Sequence, residues 1–274
     1  MTSLTPSIGS SRTLRALAKS ALRMAMPAKA VIGRLRYLSP MPRRFTGAYA
    51  SRDEALGSQP AGVMTGYDHD ELADVAFARM CEIAPWDYPV MLWLEKLLRP
   101  GSVVLDSGGH MGTKFRAFRD ILDLDRRCEW IVQDVPRIAA AGRTRALQDG
   151  LANLRFVERL EHAGRVDILL ASGLLQYLDE PLPQFVRRLR PLPGHAILNK
   201  VALRDGPSVV TLERIGPSLV PYQIRDERQF LSQLDQLGYD VLDRWSIPSL
   251  SHVIETHPEL GASRSAGFAL RLRD

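Results

Sequence analysis

The sequence lacks the features that mark disulfide-rich, membrane-spanning or fibrous proteins. Its 274 residues include only two cysteines, Cys81 and Cys128, which are too few for a disulfide framework and lack the spacing of metal ligands. The longest apolar runs, such as 168–171, fall far short of the roughly 20 residues of a membrane-spanning helix. With 45% hydrophobic and 24% charged residues, the composition is that of a globular protein, and we expect a reducing, cytoplasmic compartment.

Acidic residues are absent from positions 1–52, which hold ten Lys or Arg. Residues 53–274 carry 26 basic and 31 acidic residues, so the formal net charge of +5 comes from an N-terminal arm. Apolar residues at helical spacing predict a basic amphipathic helix over 12–26 that ends near Pro27. Such a helix can lie on an anionic membrane surface at the inner membrane, bind nucleic acid, act as a targeting segment or remain a solvated tail.

Three regions follow from the pattern along the chain. We expect a basic arm and linker over 1–62, a helical cap over 63–100 and the main domain over 101–274. Proline and glycine clusters at 39–42 and 57–62 predict the linkers. The cap should hold one helix after Asp68 and Asp70 and a second, strongly apolar one over 86–98.

After Gly101, short β-branched runs alternate with helical patterns. The runs predict seven strands, over 103–106, 129–133, 154–157, 166–170, 195–201, 239–245 and 267–272. This alternation is typical of an α/β fold with a mostly parallel sheet and helices on both faces. Asp226 and Gln229 predict a capped helix that ends at Gly238.

The turn after the first of these strands carries the main chemical signal. A strand ending in Asp106 is followed by Gly108, Gly109 and Gly112 and then by a helix from Thr113. Closely spaced glycines let a ligand approach the bare main chain at the carboxyl edge of the sheet. Asp134, 22 residues beyond Gly112 at the end of the next strand, can accept hydrogen bonds from both hydroxyls of a ribose. The alternative is structural: glycines that only allow tight packing, and an acid that only caps the next helix.

These segments resemble a known family. Residues 103–112 are similar to motif I of the class I, Rossmann-like S-adenosylmethionine-dependent methyltransferases, residues 130–134 to their second strand with its ribose-binding acid, and residues 167–178 to their fourth-strand motif. Shorter stretches at 216–217, 221–224, 237–239 and 257–259 resemble a bacterial methyltransferase group associated with surface-polysaccharide biosynthesis. The resemblance implies a Rossmann-like, mostly parallel seven-stranded sheet with an N-terminal helical extension.

The resemblance also implies a cofactor, S-adenosylmethionine, and a set of site residues. The expected cofactor-binding residues are Asp106, Gly108, Gly109, Gly112, Asp134, Ser172, Gly173 and Gln176. The candidate bases and substrate contacts are His110, His252, His257 and Tyr222. Because the sulfonium is already a cationic leaving group, a base matters only for a poorly nucleophilic hydroxyl. Lys200 is expected to pair with an acidic substrate or to be solvated, and no metal is expected.

His110 is a departure from the family pattern, since it stands where the middle glycine is usual and Gly109 comes one residue earlier. Its side chain can crowd the cofactor, hydrogen-bond to it or point away.

Three functions follow as hypotheses. The first is a methyltransferase acting on a glycan, sugar nucleotide or other small hydroxylated acceptor. The second is a nucleic-acid methyltransferase that uses the basic arm, although 172–175 lack the Asn/Asp-Pro-Pro-aromatic signature of base-amino methylation. The third is a non-catalytic, methyltransferase-like binding or scaffold protein.

Overall fold

A computed structural model describes residues 26–35, 43–59, 77–216 and 218–273. The predicted helix over 12–26 therefore lies almost entirely outside the described residues, as do the linker at 39–42 and the start of the cap helix before residue 77. Among the residues described, no helix has the length and apolar character needed to cross a membrane.

Ten strands and nine helices are present in the described part of the chain. The strands are β1 (Phe45–Tyr49), β2 (Ser102–Ser107), β3 (Cys128–Gln133), β4 (Leu154–Val157), β5 (Ile168–Ser172), β6 (His195–Arg204), β7 (Val209–Ile215), β8 (Ser218–Asp226), β9 (Tyr239–Ser246) and β10 (Arg264–Leu272). The helices are α1 (26–35), α2 (Arg52–Gly57), α3 (Phe77–Met80), α4 (Tyr88–Leu97), α5 (Thr113–Phe118), α6 (Leu124–Arg127), α7 (Pro136–Gln148), α8 (Leu182–Val186) and α9 (Glu227–Gln236). Short 3-10 turns include Pro85–Asp87 before α4 and Leu175–Tyr177 after β5.

Seven of the strands form the predicted Rossmann-like sheet, in the order β4-β3-β2-β5-β6-β10-β9. Strands β4, β3, β2, β5 and β6 are mutually parallel, and β10 runs antiparallel to both β6 and β9. The chain moves outward from β2 through β3 to β4 and then returns to the other side of β2 with β5. The carboxyl ends of β2 and β5 therefore flank a topological switch point, where open α/β sheets bind ligands.

The remaining three strands were not expected and correct the count of seven. β1, β7 and β8 form an antiparallel side sheet, and β8 joins β6 through the pairs Leu203–Arg225 and Arg204–Asp226. Pro221 inside β8 is a residue that argues against a strand in sequence reasoning. Residues 45–57, expected within the arm and linker, instead form β1 and α2 and belong to the folded unit.

Helices cover both faces of the sheet, as predicted. Successive residues of β2 alternate between two cores. Leu105 belongs to the core that includes Phe185 of α8 and Phe230 of α9, whereas Val104 belongs to the core that includes Leu94 of α4 and Phe115 of α5. Both cores continue along the neighbouring strands, so β2 is buried on both sides.

The ends of two helices test local predictions. Asp226 Oδ1 accepts hydrogen bonds from the amides of Arg228 and Gln229 and caps α9, as expected. Pro27, expected near the end of a helix, lies within the described helical residues 26–35. Gly33 lets α1 approach the chain closely, since a Cβ there would lie 2.1 Å from the carbonyl oxygen of Glu255.

Candidate active site

A cavity of about 200 Å³ opens at the switch point. Residues from the sheet edge form its floor: Asp106, Gly108, Gly109, Ser172 and Lys200. Thr113 and Lys114 of α5 form one wall, and residues of the cap segment form the other: Arg79, Met80, Glu82, Ala84 and Trp86. The cavity therefore lies where the glycine turn predicted a ligand.

In the turn from β2 to α5, every second residue from 108 to 112 has a left-handed backbone conformation. Gly108, His110 and Gly112 have φ values of 71°, 55° and 77°. His110 thus adopts a conformation that costs a non-glycine residue about 1–2 kcal/mol, which explains why glycine is usual at its position. The Gly108 amide donates to the Gln133 carbonyl at 2.8 Å, so the turn is tied to the end of β3.

Gly109 lies directly against the buried carboxylate of Asp106. A Cβ at Gly109 would lie 2.5 Å from Asp106 Oδ2, so no larger residue fits. Asp106 is 1% exposed, and burial raises its pKa to about 7 against the opposing effects of the Trp130 indole and the Lys114 ammonium. Near neutral pH, Asp106 is therefore present in both protonated and ionised forms.

Asp134 connects the end of β3 to the glycine turn. Its Oδ2 accepts a hydrogen bond from the His110 amide and its Oδ1 one from the Val135 amide, both at 2.8 Å. These amides use two of the about four acceptor positions of a carboxylate. Asp134 is half-buried and fixes the turn in addition to any role toward a ligand.

The cap segment is fastened over the cavity by a buried ion pair. Lys114 Nζ lies 2.7 Å from Asp87 Oδ2, and the two side chains are 11% and 1% exposed. Asp87 Oδ2 also accepts the amide of Ala84 at 3.0 Å. Asp87 Oδ1 has no hydrogen-bond partner in the described part of the chain.

Asn199 at the centre of β6 fixes the opposite side of the cap. Its Nδ2 donates to the Trp86 carbonyl and to Ser172 Oγ, each at 3.2 Å. Its Oδ1 accepts the indole N–H of Trp245 at 3.1 Å. This one buried amide therefore links β5, β9 and the cap segment.

The predicted cofactor residues lie together at this edge. Asp106, Gly108, Gly109 and Ser172 line the cavity. A Cβ at Gly173 would lie 3.1 Å from Lys200 Cε and 3.7 Å from Gln176 Nε2, so these three residues are neighbours. Gly112 packs against the side chain of Leu154, since a Cβ at Gly112 would lie 2.7 Å from it.

None of the four candidate bases and substrate contacts lines the cavity. The His110 ring is buried beside Phe77 of α3, with centroids 6.5 Å apart. The side chain of His110 is not among those that line the cavity.

Tyr222 and His252 belong to an aromatic cluster on the side sheet. His252 stacks on Phe45 at 3.8 Å, and Tyr222 meets both rings edge-on. The cavity beside His252 measures about 10 Å³, the scale of a single water. Burial lowers the pKa of His252 and raises that of Tyr222.

His257 lies near α1. Its Nδ1 is 3.0 Å from Thr256 Oγ1 and its Nε2 is 3.4 Å from Arg34. Burial lowers the pKa of its imidazole.

Sequence reasoning missed Lys114, Asp87 and Trp86. Lys114 follows Thr113 in the first turn of α5, and that position alone could have placed it beside the glycine turn. Asp87 and Trp86 carry no such signal, because their place over the sheet edge comes from long-range packing of the cap. Lys200 was expected to pair with an acidic substrate or to be solvated; its side chain lines the cavity and is partly exposed.

No protein-family model matches the chain, and no curated protein matches it. Several solved structures have similar backbones. They include a 1,6-didemethyltoxoflavin N1-methyltransferase of Burkholderia thailandensis with bound 1,6-didemethyltoxoflavin and S-adenosylhomocysteine, at 20% identity and TM-score 0.46 over 75% of this chain and 82% of that one. A glycopeptide N-methyltransferase complexed with S-adenosyl-L-methionine has 16% identity and TM-score 0.46 over 70% and 97%. The magnesium protoporphyrin IX methyltransferase of Synechocystis PCC 6803 with bound S-adenosylhomocysteine has 15% identity and TM-score 0.47 over 76% and 90%. What the site binds therefore has to be argued from its own geometry.

Proposed function

We propose that the protein is an S-adenosylmethionine-dependent methyltransferase. The observation that carries the proposal is the cavity at the switch point, which Gly108 and Gly109 line and His110 does not. The resemblance of residues 103–112 and 130–134 to the methyltransferase motifs supplies the identity of the ligand. The hydrogen bond from the His110 amide to Asp134 joins the glycine turn to the acid at the end of β3 and supports the proposal.

The residues present fit this cofactor in two respects. Gly108 and Gly109 line the cavity without side chains, so a ligand can approach their main chain. Two buried side-chain oxygens near this edge, Asp106 Oδ2 and Gln176 Oε1, lack hydrogen-bond partners among the described residues, and a bound ligand can satisfy them. Asp134 would hold the ribose hydroxyls, and Asp106, Gly108, Ser172 and Gly173 would surround the methionine part.

When bound, the cofactor supplies an electrophilic methyl group on a cationic sulfur. The chain's main contribution to such a transfer is alignment, because a correctly oriented nucleophile removes much of the entropic barrier. The network of Asn199, Ser172 and Trp86 fixes the cavity walls for that purpose. A cap held on two sides also limits the entry of water.

The test is isothermal titration calorimetry of the full chain with S-adenosylhomocysteine. We expect binding, and we expect Asp134→Ala to weaken it about 5- to 150-fold through loss of charge-assisted hydrogen bonds. Asp125→Ala is the matched control, because Asp125 pairs with Arg119 on the exposed α6 segment. A wild-type chain that binds neither S-adenosylmethionine nor its demethylated product would support the scaffold hypothesis instead.

The acceptor we propose is a glycan, a sugar nucleotide or another small hydroxylated molecule, as in the polysaccharide-associated group that the sequence resembles. We also propose that the basic segment 12–26 binds an anionic membrane surface. Liposome pelleting and nucleic-acid gel shifts, each with a chain lacking residues 1–25, distinguish the two uses of the arm. The deletion has to stop before α1 and β1, since β1 pairs with β7 in the side sheet.

A further inference from the structure

Lys200 has an unusual backbone position in the middle of β6. Its φ is 61°, a left-handed conformation that is uncommon for non-glycine residues and that clusters at functional sites. The pairing of β6 with β10 shows the cause. Ala266 pairs with Val201 and Phe268 with Leu198, so Asn199 and Lys200 together face the single residue Gly267. This is a β-bulge, a device that redirects a side chain.

The bulge directs the amine of Lys200 into the cavity. Its Nζ lies 6.0 Å from the centre of the Trp86 ring, and Gly173 makes room for it, since a Cβ there would lie 3.2 Å from Nζ. Among the described residues, no atom accepts a hydrogen bond from Nζ. Lys200 is partly exposed, and a partly desolvated ammonium without a protein acceptor is less favourable than one in bulk water, so the site favours the neutral amine with its lone pair.

The charges around Lys200 act in the same direction. Burial, followed by repulsion from Lys114 of α5, lowers the pKa of Lys200 to about 8 against the attraction of Asp87 and Asp106. The other charged groups that line the cavity are Arg79 and Glu82 of the cap segment. The Asp87 carboxylate is engaged by Lys114 at 2.7 Å, so Lys200 has no close ion pair that would keep it protonated.

We propose that Lys200 is the general base of the transfer reaction and that the acceptor group is a hydroxyl. This inference rests on the proposed function. A thiolate or a neutral amine attacks a sulfonium methyl unaided, whereas a hydroxyl is a weak nucleophile that needs a base. The O–H proton moves to the neutral Nζ, the oxygen pair forms the bond to the methyl carbon, and the carbon–sulfur bond breaks with its electrons remaining on sulfur. One positive charge is present before the step, on sulfur, and one after it, on Lys200, which returns the proton to solvent.

The first experiment needs no acceptor. The full chain, with and without S-adenosylhomocysteine, is labelled with trace acetic anhydride from pH 6 to pH 11, and each lysine is quantified by peptide mass spectrometry. Only the neutral amine reacts, so the yield at Lys200 should rise with a midpoint near pH 8. Lys96 of α4 is the exposed reference, and at pH 8 the yield at Lys200 should exceed the yield at Lys96.

The second experiment separates a base from a group that binds an anion. Transfer of labelled methyl to a panel of phenols, monosaccharides and nucleotide sugars is measured for the wild type, Lys200→Arg, Lys200→Met and the control Lys96→Met. A base requires both Lys200 variants to lose about 10²- to 10⁴-fold in kcat with smaller changes in KM. Arginine stays protonated, so an anion-binding role would leave Lys200→Arg largely active.

The outcomes are distinct. Failure of the wild type to bind S-adenosylhomocysteine contradicts the proposed function. If the wild type binds that ligand but Lys200 is labelled over the same pH range as the exposed lysines, or is never labelled, the role of Lys200 is overturned and the proposed function is not. Retention of activity in Lys200→Arg also overturns it. If no panel member is methylated, the labelling midpoint decides.

Discussion

Replacement of Lys114 by methionine tests the ion pair that holds the cap segment. Methionine keeps most of the apolar stem but removes the ammonium 2.7 Å from Asp87 Oδ2. The carboxylate, 1% exposed, then keeps only the hydrogen bond from the Ala84 amide. Breaking a buried pair in this way typically costs about 3–5 kcal/mol.

A second estimate limits that cost and predicts how it changes with pH. The stranded carboxylate can take up a proton instead, and protonating an ordinary aspartate costs about 4 kcal/mol at pH 7 and about 1.5 kcal/mol at pH 5. We therefore expect Lys114→Met to lower the free energy of unfolding by about 3–4 kcal/mol at pH 7 and by less than half of that at pH 5. The loss should shrink as the pH falls because the variant's difficulty is a buried negative charge.

Urea unfolding followed by fluorescence, with linear extrapolation at each pH, measures both values. The double variant Lys114→Met/Asp87→Asn should recover about 2 kcal/mol or more at pH 7, because a neutral amide still accepts the Ala84 amide. Lys96→Met on the exposed side of α4 is the control and should lose less than about 1 kcal/mol. A loss below 1 kcal/mol for Lys114→Met at pH 7, or a loss unaffected by Asp87→Asn, would refute the reasoning.

Three further predictions concern stability at the site. At position 110, where φ is 55°, the glycine variant should be more stable than the alanine variant by about 1 kcal/mol in thermal unfolding, and equal stabilities would contradict the left-handed turn. Lys200→Met removes a group whose folded-state pKa of about 8 lies below the ordinary 10.5. The stability of the wild type relative to this variant is therefore greatest above pH 10.5, falls as the pH is lowered from 10.5 to 8, and is lowest below pH 8. The wild type should gain about 2–3 kcal/mol relative to this variant between pH 7 and pH 10, as measured by urea unfolding, and a pH-independent difference would argue for an exposed amine. Gly109→Ala should destabilise the chain and abolish binding of S-adenosylhomocysteine, because its Cβ would lie 2.5 Å from Asp106 Oδ2, whereas Gly57→Ala, with no atom within 4 Å, should do neither.

The sequence predicted the central sheet well because its signals are local. Buried parallel strands such as β2 and β4 are short apolar runs bounded by turns, and their positions agree with the structure to within a residue or two. The cap of α9 at Asp226 is equally local, since the side chain bonds the amides two and three positions ahead. The side sheet was missed because β1 pairs with β7 across more than 160 positions.

In the candidate site, too, the features with local sequence signals were predictable and those that depend on long-range contacts were not. The glycine turn and the carboxylates of Asp106 and Asp134 could be located from spacing alone. The placement of Lys200 at the cavity could not, because it depends on a bulge defined by the register with β10. Nor could the ion pair of Lys114 with Asp87, whose partners come from separate parts of the chain.

Strand β6 changes its parallel partner along its length, and this change has a consequence beyond the site. Its first half pairs with β5 as far as Asn199, and its last residues pair with β8 from Leu203 onward. Lys200 occupies the short interval between these two partners. The bulge at Asn199 and Lys200 therefore lies between the part of β6 that pairs with β5 and the part that pairs with the side sheet. A change that removed the bulge should alter both the position of the Lys200 amine and the attachment of the side sheet. Swapping this accessory sheet between related chains should consequently fail unless the residues at the bulge are exchanged with it.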